Sequence, residues 1–203
     1  MVDIVLFHHV QGLTTGVVAF ADELGAAGHT VHTPDLFDGR IFATIDDGMA
    51  YARQTGFEVL LDRGVADADA LTAGGTVYAG FSMGVMPAQK LAQTRADARG
   101  ALLLHACLPV SEFGKRWPDG VPVQVHGMDA DPFFTEEGGD LDAAQQLAAS
   151  TDQAEVFLYP GREHLFTDSS LPSYDAAAAT LVLQRALRFL DSLAPTTTPA
   201  ETA

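Results

Sequence analysis

The chain has 203 residues, 47% of them hydrophobic, and a single cysteine, Cys107. That suffices for one domain with a substantial core, and it excludes an internal disulfide. Eleven basic residues against 27 acidic ones give a net charge of −16, which argues against nucleic acid or an anionic membrane as a partner.

In chain order, Val2–Phe7 reads as a buried strand. Thr14 or Thr15 can cap a helix running to about Ala27, which Gly28 ends. His29–His32 is a second short strand, closed by Pro34. Asp46 to Leu61 has the apolar spacing of one helix. Thr76–Ala79 is a strand, and a helix is expected from Met83 to about Thr94. Ala101–His105 and Val121–His126 are two further strands. Asp140–Ala149 is a helix, Glu155–Tyr159 a strand, and Tyr174–Leu193 a long closing helix. This alternation predicts an α/β fold, a mostly parallel sheet of six or seven strands with helices on both faces and no large lid. Residues 1–193 read as one domain. Residues 194–203, rich in Thr, Pro and Ala, offer little to bury and are expected to be disordered. Apolar runs such as Ala101–Leu104 are too short to span a bilayer, and the N-terminus lacks a basic region followed by an apolar core. With one cysteine, the expected location is the cytoplasm.

Between the third strand and its helix lies Gly80-Phe81-Ser82-Met83-Gly84. Gly-x-Ser-x-Gly in that context is a nucleophile elbow, a turn sharp enough to raise a serine hydroxyl above the sheet. Side chains two residues either side would collide, so glycine stands there. Functional groups in a parallel sheet gather beyond the carboxyl ends of the strands. Beyond β-type runs here come His8–Gly12, then Ser82, then Asp129 and Asp131, then His164. Serine, acid, histidine is the chain order of an α/β-hydrolase triad. A neutral imidazole takes the serine proton, a carboxylate fixes its tautomer, and backbone N–H groups of Met83 and Val10 are the expected oxyanion donors.

Of the two acids, Asp131 is preferred because Pro132 fixes its backbone. His126 is a rival base, read as structural and bonded to a neighbouring carbonyl. His8-His9 could suggest a metal, but no clear third ligand accompanies them. Cys107 reads as a small core residue. Gly74-Gly75 lacks the Gly-Lys-Ser/Thr of a phosphate loop. No cofactor or metal is expected.

With these residues the chain resembles the dienelactone hydrolase family of α/β-hydrolases from about Val2 to Leu193. Four stretches carry the likeness: Gly12-Leu13 with Thr33–Gly39; Gly80–Gly84; His126-Gly127 with Asp131-Pro132-Phe133; and Tyr159-Pro160-Gly161 with His164-Leu165-Phe166. The resemblance implies an ester or lactone hydrolase using Ser82, Asp131 and His164; His9 and Phe166 are the expected substrate contacts. It also favours Asp131, since the family's acid commonly precedes Pro-Phe. Three departures stand out. Ser82 replaces the cysteine of well-studied members. His9 stands where they carry a glutamate. Leu165–Asp168 stands where an arginine grips the substrate carboxylate. An aspartate there would repel an anionic lactone, so a small neutral ester or lactone is the expected partner of a monomer or homodimer. The same triad would also serve thioester hydrolysis or acyl transfer, and the fold can carry a non-catalytic binding protein.

Overall fold

The computed structural model describes residues 1–193 except 73, 137 and 138. Six strands form one sheet in the order β2-β1-β3-β4-β5-β6, and every pairing is parallel. They are β1 (Asp3–Phe7), β2 (Thr30–His32), β3 (Thr76–Phe81), β4 (Gly100–Leu104), β5 (Val123–Met128) and β6 (Ala154–Tyr159). The four inner strands are wholly or almost wholly buried, which explains their continuous apolar runs.

Alternate residues of each strand feed two cores. Ile4 and Leu6 face α1 (Thr15–Ala26) and α6 (Ala176–Leu193). Val5 and Phe7 face α2 (Ile45–Thr55), α3 (Phe57–Leu71), α4 (Val85–Thr94) and α5 (Asp140–Ser150). After β1 the chain moves outward to β2, then returns across β1 to β3. The carboxyl ends of β1 and β3 therefore flank the switch point, where an open α/β sheet has its crevice.

The helix expected over Asp46–Leu61 is two helices. Gly56, at φ 96°, ends α2 and its N–H bonds the Ala52 carbonyl at 2.8 Å. Apolar spacing continues across this break, so periodicity alone could not register it. Elsewhere local chemistry set the boundaries. Thr14 caps α1, its Oγ1 accepting from Val17 N, and Thr44 caps α2. Asp175 caps α6 by accepting from the amides of Ala177 and Ala178. Strand β4 stops before His105, whose φ is 67°. Strand β5 runs on to Met128, so His126 lies within the strand and not at its end. Among the described residues no helix is long and apolar enough to cross a membrane. The expected disorder of 194–203 lies outside the described residues.

Candidate active site

Phe81 ends β3, and Ser82–Gly84 make one turn of 3-10 helix before α4 begins at Val85. Ser82 has φ 49°, a left-handed conformation that costs a non-glycine residue free energy. The flanking glycines make this turn possible. A Cβ on Gly80 would overlap the Gly84 carbonyl, and one on Gly84 would overlap the Phe7 carbonyl and stand 2.7 Å from that of His8. The elbow is thus wedged between its own halves and the loop leaving β1.

His164 and Asp131 reach Ser82 from two loops that are stitched together. Ala130 N–H bonds the Gly161 carbonyl at 2.9 Å, and Gly161 N–H bonds Asp129 Oδ1 at 3.1 Å. Gly161 itself leaves room only for Met128, whose sulfur would lie 2.5 Å from a Cβ there. Asp129 is spent on this stitch. Asp131 instead points inward: Oδ1 accepts from Phe133 N–H at 2.9 Å, and Oδ2 is 2.6 Å from His164 Nδ1. A carboxylate accepts, so Nδ1 carries the proton and Nε2 is free to accept from Ser82 Oγ at 2.9 Å. His164 and Asp131 are both buried, and the exposed Phe133 ring lies over the imidazole with centroids 4.9 Å apart.

Val10 and Met83, the expected oxyanion donors, lie in the loop after β1 and in the elbow. Phe7 pairs with Gly80, so the loop after β1 starts against the elbow, and both residues are buried in one core. Within that loop His9 is not where a substrate contact needs it. The ring is fully buried, Nδ1 accepts from Gln11 N–H at 3.2 Å, and Nε2 donates to Asp168 Oδ2 at 2.8 Å. No ring N–H remains for a substrate, because both nitrogens are already engaged. Phe166 is likewise fully buried, packed edge-on against His105 and tilted against Tyr159, so it offers no face to a ligand. Asp168 does not repel an anion either. Its side chain is buried and turned away toward His9, Thr14 and Ser170.

His8 and His126 are structural by geometry. His8 Nδ1 donates to the His9 carbonyl and Nε2 accepts from Leu36 N–H. His126 bonds Tyr159 Oη and the Gln124 side chain, where a backbone carbonyl was expected. Burial lowers His8 to about 4 and His126 to about 3, so both stay neutral. Among the described residues no cluster of three or more His, Cys, Asp or Glu could hold a metal ion.

Two neighbours of the site escaped sequence reasoning. His105, just beyond β4, bonds Thr167 Oγ1 at 2.7 Å and sits edge-on to His164 at 5.8 Å. Its position beyond a strand end was the available signal. Asp140, opening α5, is raised to about 6 by burial, with the Cys107 N–H and His164 opposing and Asp131 adding to the shift. No sequence pattern marks it.

The dienelactone hydrolase family model matches residues 2–194. The chain belongs to the dienelactone hydrolase family. Membership assigns it to the carboxylic ester hydrolases. No curated protein sequence matches it. Similar solved structures include a dienelactone hydrolase-like promiscuous phosphotriesterase from metagenomic libraries, at 19% identity and TM-score 0.71 over 95% of this chain and 87% of that one. A cold-adapted esterase from an Arctic intertidal metagenomic library shares 18% identity, TM-score 0.62, over 95% and 83%. Mouse alpha/beta hydrolase domain-containing protein 10 shares 14%, TM-score 0.68, over 95% and 90%. These likenesses establish the α/β-hydrolase fold. Within the dienelactone hydrolase family pattern, the two departures at His9 and Asp168 are spatial partners of each other.

Proposed function

We propose that this chain hydrolyses neutral carboxylic esters or lactones through an acyl-serine. The observation that carries this reading is the continuous hydrogen-bonded line from Ser82 Oγ through His164 to Asp131, at 2.9 and 2.6 Å. Ser82 Oγ attacks the carbonyl carbon while its proton passes to His164 Nε2. Asp131 stabilises the resulting imidazolium and keeps its tautomer fixed. The tetrahedral oxyanion is held by the N–H groups of Val10 and Met83. Collapse breaks the bond to the alkoxide, which takes the proton from Nε2. Water then repeats the sequence on the acyl group, releasing the acid and restoring Ser82.

A neutral substrate fits the electrostatics. Asp140 stands close enough to His164 to interact with its charge, and the whole chain carries −16. Ser82, His164 and Asp131 come from one chain, so a monomer or homodimer would serve. The buried free Cys107 suits a reducing compartment such as the cytoplasm.

Fluorophosphonate labelling with peptide mapping tests the nucleophile, and p-nitrophenyl ester turnover tests the reaction. Ser82→Ala should keep the fold and lose both label and turnover. Hydrolysis by that variant at the parent rate overturns the proposal. Added alcohols or thiols competing with water distinguish acyl transfer from hydrolysis.

A further inference from the structure

We infer that His9 and Asp168 form a positioning pair that holds the Val10 amide in the oxyanion site, an inference that rests on the acyl-serine reading above. The loop after β1 must present a backbone N–H without help from a strand ladder or helix. Its shape comes from the His9 ring. Gln11 N–H bonds back to His9 Nδ1 at 3.2 Å, and Gly12 N–H bonds the His9 carbonyl at 3.0 Å. Residues 9–12 therefore curl around the imidazole, with Val10 at the bend.

The ring is fixed in turn by Asp168, 159 residues away in sequence. With Nδ1 accepting, Nε2 carries the proton and donates to Oδ2 at 2.8 Å. The same oxygen accepts the Thr14 hydroxyl, and Thr14 caps α1. Oδ1 accepts from Ser170 N–H at 2.8 Å and Ser170 Oγ at 2.6 Å. Space is reserved for the carboxylate: a Cβ on Gly16 would overlap Asp168 Oδ1 and stand 2.8 Å from Ser169 N. Burial alone would raise this acid, but the bonds from His9, Ser170 and Thr14 outweigh it and hold the carboxyl at about 2. It stays ionised throughout the working range.

A buried carboxylate with this many partners is a poor way merely to fill a core, since apolar packing stabilises as well or better. Its distinctive product is direction. Asp168 follows His164 by four residues, so one loop carries both the general base and the group that orients the oxyanion loop. The base and the oxyanion donor are thereby held in a single frame.

The test compares Asp168→Asn, His9→Gln, His9→Leu and Ser170→Ala with the parent chain, each normalised to the fraction labelled by fluorophosphonate. Asp168→Asn and His9→Leu should lose about 10- to 100-fold in kcat while KM stays within about threefold. Ser170→Ala, losing one bond to the carboxylate, should lose less. His9→Gln, which can still donate toward Asp168, should recover part of the loss of His9→Leu. Phenylboronic acid, which forms a tetrahedral anionic adduct on serine, should weaken in step with kcat/KM. A merely structural role lowers Tm and leaves kcat per labelled site and boronate affinity unchanged, and that result overturns the inference. If Asp168→Asn folds poorly, Ser170→Ala carries the same comparison. Failure here with labelling of Ser82 intact removes the positioning pair alone. Loss of Ser82 labelling in the parent chain removes the acyl-serine reading first.

Discussion

Gly84 lies against the carbonyl oxygen of Phe7 with no room for a side-chain atom between them. The contact joins the elbow to the start of the loop after β1. Gly84→Ala must push backbone against backbone, where no rotamer can give way. The expected cost is about 2–3 kcal/mol in stability, measured by urea unfolding, with esterase activity lost more than stability alone accounts for. A variant of parent stability and activity would show that the elbow is looser than this geometry.

Buried histidines make the fold acid-sensitive. His8 and His126 are lowered by burial to about 4 and about 3, and His105 well below its ordinary value. Their unfolded values lie near 6.5, so below that pH the unfolded chain binds more protons and stability falls as pH falls. Asp140 works oppositely between about 6 and 4, because its folded value is raised. Two or three histidine protons against one from Asp140 leave a net of one or two, a loss of about 1–3 kcal/mol per pH unit between pH 6 and 4. Unfolding midpoints at pH 7, 6 and 5 check this. His126→Gln should flatten the slope by about one proton.

Asp140 should oppose folding at neutral pH. Burial raises its folded value to about 6, so ionising it costs stability increasingly as pH rises from about 4 to about 6. Asp140→Asn should therefore gain more Tm at pH 7.5 than at pH 4.5. An equal shift in Tm at the two pH values would show that the buried carboxyl does not set this difference.

Cys107 is buried, and burial with the nearby Asp140 pushes its thiol up to about 12. Native protein at pH 8 should resist iodoacetamide for hours while fluorophosphonate labels it fully. Denatured protein should alkylate at one site. Rapid native alkylation with loss of activity would make the thiol a participant.

Ser82, Asp131 and His164, which the fold joins in one hydrogen-bonded line, could be nominated from sequence because each follows a strand and each carries chemistry that few other side chains provide. The spacing around Ser82 needed no partner to be read, since the glycines answer a local collision. Gly56 was harder, because the apolar stripe runs on through it and only its φ of 96° divides α2 from α3. His9, Phe166 and Asp168 were read as groups facing the ligand. Their types permit that, but direction depends on what packs behind them. Asp168 turns inward because Thr14, Gly16 and Ser170 build a cradle for it from both loops.

The order of apolar runs, caps and glycines by itself determined a parallel α/β sheet with an elbow at Ser82, because those features arise from short-range sterics and burial. Which carboxylate meets which imidazole was decided only when the chain folded. Asp129 and Asp131 are one residue apart, yet one stitches two loops and the other faces His164. So too His9 and Asp168 become partners across 159 residues. Hydrogen bonds act over about 3 Å, and only the packed sheet brings such distant groups within that reach.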